Sequence, residues 1–65
     1  MYYYVLVKWL EWSHTSKDYI QRQKKFPKLW ANSTTEASQL ALAQSPDGIC
    51  KEISMIWHLW PQPAN

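Results

Sequence analysis

The sequence predicts a small α+β domain of ββαβ order: a three-stranded antiparallel sheet, strand order 2-1-3, with one helix on one face. Three observations carry this: a nearly continuous apolar opening segment, a capped helix signal that a proline stops, and a closing segment of alternating apolar residues. At 65 residues the chain makes one domain, read as residues 1–60 followed by a proline-containing tail, 61–65. A chain this short buries only about 60% of its unfolded surface, so its core must be dense. Aromatic residues make up 15% of it, with five Trp and four Tyr, and supply that density without staples.

Tyr2 to Trp12 is rich in aromatic and β-branched residues, as expected of a central strand covered at least partly on both sides. The polar stretch Ser13 to Asp18 reads as a loop. Tyr19 to Ala31 has two readings. Thr15-Ser16-Lys17-Asp18 could start a helix that Pro27 ends, but Tyr19, Ile20 and Phe26 make a poor helical stripe. The second arm of a long hairpin is preferred, because two strands alone seldom make a stable sheet; Pro27 then lies at an edge or a bulge.

Ser33-Thr34-Thr35-Glu36 matches a capping box, in which the Ser33 hydroxyl bonds the third helical amide and Glu36 reaches back to the cap's own amide. Ala37, Leu40, Ala41 and Gln44 then share one face, with Leu42 to one side, and Pro46 stops the helix. Ser45-Pro46-Asp47-Gly48 supplies a turn, with the only glycine placed where unusual backbone angles are cheap. From Cys50 to Trp60, Ile53, Met55, Trp57 and Leu59 alternate with Glu52, Ser54 and His58, the pattern of a half-buried strand. Putting the apolar first strand in the middle and the basic, proline-bearing one on an edge gives the order 2-1-3.

Several function classes find little support. A lone cysteine, Cys50, forms no internal disulfide and anchors no thiolate cluster, and no metal site or cofactor is expected. The single glycine is incompatible with a phosphate-binding glycine loop. His14, His58 and Cys50 lie on separate predicted elements without triad or ligand spacing, so no catalytic residue and no small-molecule substrate is assigned and the protein is read as a non-enzyme. The opening apolar stretch lacks a basic leader and is too short for a membrane span, which points to a cytoplasmic protein. Asn32-Ser33-Thr34 matches a glycosylation acceptor but serves better as a helix entrance, and the tail lacks the PxxP spacing of a proline-recognition ligand.

The formal charge of +2 is uneven: residues 17–28 carry +4 and the remainder −2. Arg22, Lys24, Lys25 and Lys28 form a basic edge, a feature that serves either as a solvated face or as a guide for an acidic partner. One short helix covers only one face of the sheet. If Val5, Val7 and Trp9 point at it with Ile53, Met55, Trp57 and Leu59, the other face shows Tyr2, Tyr4, Leu6, Lys8, Leu10 and Trp12, with Ile56, His58 and Trp60 beside them. The edge strand adds Arg22, Lys24, Lys28 and Trp30, unless a bulge at Pro27 reverses the pointing on one side.

So large an apolar surface marks an interface. The expected partner-binding set is Tyr4, Leu6, Lys8, Trp12, Trp30, Ile56, His58 and Trp60, docking on another protein or on a second copy to make a homodimer. The alternative is single-stranded nucleic acid, with rings stacking on bases and lysines tracking phosphates; the low net charge and Glu11 and Glu52 on or near the sheet make it the weaker reading. In size and element order, though in no specific residues, the chain resembles small accessory proteins of phages and mobile elements, some of which inhibit host complexes by binding them. That resemblance implies an inhibitor or adaptor.

Overall fold

The computed structural model describes residues 1–59. Trp60 and the predicted tail lie outside the described residues. The elements are β1 (Tyr2–Ser13), β2 (Asp18–Trp30), α1 (Thr34–Gln44) and β3 (Ile49–Leu59). They form one antiparallel sheet of order β2-β1-β3 with a single helix, the architecture the sequence predicts. The second segment is a strand, not a helix. Its own side chains are mostly polar, and what holds it is pairing with β1 along nearly the whole length of both strands.

The β1–β2 hairpin closes through Ser13. Its carbonyl accepts from Lys17 N at 2.8 Å and its Oγ from Ser16 N at 3.2 Å, which turns the chain within four residues, 14–17. Lys17 ends that turn at φ 53°, in the left-handed region where a side chain costs about 1–2 kcal/mol. Lys17→Gly is therefore expected to raise stability by about 0.5 kcal/mol, the relief being partly offset by glycine's greater freedom when unfolded. Lys17→Val should lower it, and urea midpoints of the two variants check the sign.

Helix α1 starts as its sequence predicts, with Ser33 Oγ accepting from Glu36 N at 3.1 Å. The other half of the capping box differs: the Glu36 carboxylate accepts from Asn32 Nδ2 at 3.2 Å, one residue before the cap. Ser33→Ala should cost about 1 kcal/mol, read from a denaturation midpoint. At the far end Ser45 N donates to Ala41 O, Ser45 Oγ donates to Leu42 O at 2.8 Å, and Pro46 follows. Lys51 Nζ on β3 also donates to Leu42 O, at 3.1 Å, putting a cation where the helix dipole is negative.

The core is thin. Tyr3, Val5, Val7 and Trp9 of β1 meet Ala31, Ala37 and Ala41, with Phe26, Leu29, Leu40, Leu42, Ile53 and Ile56 half-buried around them. The helix stripe is narrower than predicted: Ala37 and Ala41 are buried, but Gln44, expected on that face, is exposed. Small residues there let the helix lie close on the sheet. An 11-residue helix is about 16 Å long against about 40 Å for a 12-residue strand, so the helix layer reaches only part of the sheet. The hairpin end, from Glu11 to Ile20, also runs past the last β1–β3 pair, Leu10–Ile49.

Gly48 has a different role from the one its turn suggested. Its φ is not positive. Instead, a Cβ there would overlap Trp9 Cδ1 and stand 3.1 Å from the Leu10 carbonyl oxygen, so glycine is present because the core indole fills its space. Trp9 is 6% exposed, and its Nε1 has no hydrogen-bond partner among the described residues, so packing holds the indole.

Candidate functional site

Directly paired residues of neighbouring strands point to the same face, so the register decides which side chains share the side away from α1. On β1 the even positions, Tyr2 to Trp12, face away from the helix, as predicted. On the flanking strands three bulges change the phase.

On β3 the pairs Leu6–Met55 and Val7–Ile53 leave Ser54 as an extra residue. Past Ser54 the phase reverses. Met55, Trp57 and Leu59 pair with Leu6, Tyr4 and Tyr2 on the open face, whereas Ile56 and His58 pair with Val5 and Tyr3 on the helix side. This corrects the expected site: Ile56 packs on the core, and the His58 ring lies 5.4 Å from that of Tyr3, tilted by 42°. The register shifts again between Lys8–Glu52 and Leu10–Ile49, where Cys50 has φ 54°.

On β2 the pairs Tyr3–Leu29 and Val5–Phe26 place the extra residue at Pro27–Lys28. Trp30, Lys25, Gln23, Gln21 and Tyr19 share the open face with Tyr2, Leu6, Lys8, Leu10 and Trp12. Lys28 Nζ stands 4.7 Å from the centroid of the Tyr2 ring, on the same side. Arg22 and Lys24 instead pair with Trp9 and Val7 on the helix side, where Arg22 Nε bonds Glu11 Oε2 at 2.9 Å and Lys24 Nζ lies 5.5 Å from the Phe26 ring centroid. The basic stripe is thus not one surface; it divides across the two sides of the edge strand.

The rings of the open face pair across strands. Tyr4 and Trp57 stack at 4.4 Å with 9° between planes; Tyr2–Trp30 and Trp12–Tyr19 meet edge to face at 5.1 and 5.2 Å. Such pairs contribute about 0.5–1.5 kcal/mol each, yet they cover only part of each ring. Trp30 remains 57% exposed, Trp57 47% and Trp12 45%. Leu6, expected to touch a partner, is only 9% exposed and forms the floor of the face rather than its surface. Lys8 Nζ and Glu52 Oε1, 3.2 Å apart, are the one ion pair that register places on this side among the described residues.

Among the described residues, every large hydrophobic side chain that stays exposed, apart from Met1, is on the open face by register: Tyr2, Trp12, Tyr19, Trp30, Ile49, Met55 and Trp57. Sequence reasoning found Tyr4, Lys8, Trp12 and Trp30. It missed Tyr19, Ile49, Met55, Trp57 and Leu59. The signal for the last three was adjacent apolar residues Ile56 and Trp57, which break strict alternation just after Ser54.

The residues considered for catalysis are not brought together. Cys50 and His58 stand at opposite ends of β3, about 25 Å apart at strand rise. A shallow cavity of about 190 Å³ beside Cys50 is lined by Lys8, Trp9, Leu10, Gln21 and Glu52, and it is smaller than the roughly 300 Å³ at which small-ligand pockets begin. Among the described residues no three His, Cys, Asp or Glu side chains are grouped to hold a metal ion, and no helix is long and apolar enough to cross a membrane. No protein-family model, curated protein or solved structure matches this chain.

Proposed function

We propose that this protein is a non-enzymatic interaction module of the inhibitor or adaptor kind, which docks on another protein through the open face of its sheet. The observation that carries the reading is the one-sided distribution of exposed apolar side chains: seven large ones share one side, while α1 packs on part of the opposite side. Each is about half exposed, so together they present on the order of 700 Å², close to the roughly 800 Å² that each partner gives to a standard interface. Trp and Tyr dominate that area, and they are the residues that most often carry binding energy.

Affinity capture from the source organism with three baits tests this. A partner should be retained by the wild-type chain and by Ser38→Ala on the helix surface, and lost with Trp30→Ala/Trp57→Ala. A partner captured equally by all three overturns the open face as the docking site.

A further inference from the structure

Resting on that reading, we propose that the occupant of the open face is a foreign protein surface that sets carboxylates beside its apolar side chains, the carboxylates meeting Lys25 and Lys28. Three positions apart on a regular strand, these two residues would point to opposite faces. The bulge at Pro27–Lys28 brings both to the open side, beside Tyr2 and Trp30, while Arg22 and Lys24 stay on the other. The bulge therefore places two cations along one margin of the apolar patch.

Neither lysine has a carboxylate partner among the described residues. β2 holds no acidic residue between Tyr19 and Trp30, and the only carboxylate among the described residues that register places on the open face, Glu52, is taken by Lys8. The face therefore carries a net +2 that nothing in the described chain neutralises.

That charge selects among occupants. A second copy would bring the same two lysines and, among its described residues, no free carboxylate from its own open face, so symmetric mating would gather four unneutralised cations over apolar surface. Nucleic acid would need more phosphate contacts than two lysines make, and ring faces to stack on. Tyr4 and Trp57 already stack on each other, and Lys28 stands over Tyr2. An apolar surface with acidic residues on one flank fits both the rings and the lysines.

The test is selection of a random peptide library on phage against the full-length chain, with a selected peptide then synthesised and titrated against variants whose circular dichroism matches wild type. Enriched peptides should combine aromatic or aliphatic residues with Asp or Glu. Binding should weaken about tenfold or more with Lys25→Glu/Lys28→Glu and change little with Lys24→Glu, which sits on the helix side. Peptides without acidic enrichment that still depend on Trp30 and Trp57 would overturn the charge inference and leave the docking face intact. Peptides indifferent to Trp30→Ala/Trp57→Ala would overturn the docking face itself. A concentration-dependent dimer in light scattering that Trp57→Ala dissolves would replace the foreign occupant by a second copy, and tighter binding of a thymidine oligonucleotide than of any peptide would replace it by nucleic acid.

Discussion

Removing one indole from this protein is expected to take away much of its stability, whereas removing two others should leave it folded and unable to bind. Trp9 is 6% exposed within a core of seven buried residues, and truncating a buried Trp to Ala costs about 3–5 kcal/mol. A 65-residue domain has on the order of 3–10 kcal/mol in total, so Trp9→Ala should remove roughly half of it or more. Trp30 and Trp57 are about half exposed, and their rings meet those of Tyr2 and Tyr4. Losing both cross-strand contacts should cost about 1–3 kcal/mol, with the strand signature of the circular dichroism kept. Their effect on partner affinity should be far larger: two aromatic anchors at about 2 kcal/mol or more each correspond to roughly a thousandfold loss. Denaturation curves for the three variants, set beside titrations of a captured partner, separate these outcomes. Equal stability losses in all three would mean that the open-face rings belong to the core.

Gly48→Ala is the second change expected to be severe. Because Gly48 φ is not positive, alanine is compatible with the backbone, and in the unfolded chain the substitution alone would favour folding by about 0.4–1 kcal/mol. The steric effect runs the other way and is larger. The new methyl would overlap Trp9 Cδ1 and crowd Cγ at 3.0 Å, so the buried indole would have to shift. Overpacking of this kind costs about 1–3 kcal/mol, so after the unfolded-state gain a net loss of about 1 kcal/mol is expected, a substantial share of the total. Combining Gly48→Ala with Trp9→Leu should recover part of that loss, because the smaller side chain vacates the contested space and the two changes couple. A neutral Gly48→Ala, or a double variant that is simply the sum of its parts, would show that the loop yields instead.

What was legible in the sequence is what local chemistry writes there. Ser33 with Glu36 marks the helix start, Pro46 its end, and the aromatic run from Tyr2 to Trp12 the central strand, with Pro27 and the lysines assigning β2 to an edge. The register was not legible. Ile53, Met55, Trp57 and Leu59 keep a period of two straight through the bulge at Ser54, so apart from the extra apolar residue Ile56 the pattern looks regular although the strand changes sides within it. A bulge is specified by pairing with a neighbour, and a single strand's residues carry little trace of it. The same holds for the lysines, whose division between faces depends on an extra residue at Pro27–Lys28. Gly48 misled for a related reason: its place after Pro46-Asp47 suggested a turn angle, and the cause is a contact with Trp9, far away in the chain.

The one-sided aromatic face came through these corrections because its logic does not depend on which β3 residues point outward. One phase exposes Ile56 and His58, the other Met55, Trp57 and Leu59; either way a single short helix covers one side only. The observed phase strengthens the case, since it joins Trp57 to Tyr4 and Met55 to the Leu6 floor.

Oxidative footprinting by hydroxyl radicals, read residue by residue by mass spectrometry, tests this most directly. The purified chain should show fast labelling at Trp12, Trp30, Met55 and Trp57 and slow labelling at Trp9, and adding the captured partner should slow the first set while leaving the half-buried Leu40 on α1 unchanged. Slow labelling of all the indoles in the isolated monomer, or open-face labelling that the partner does not alter, would contradict a docking surface on this side of the sheet.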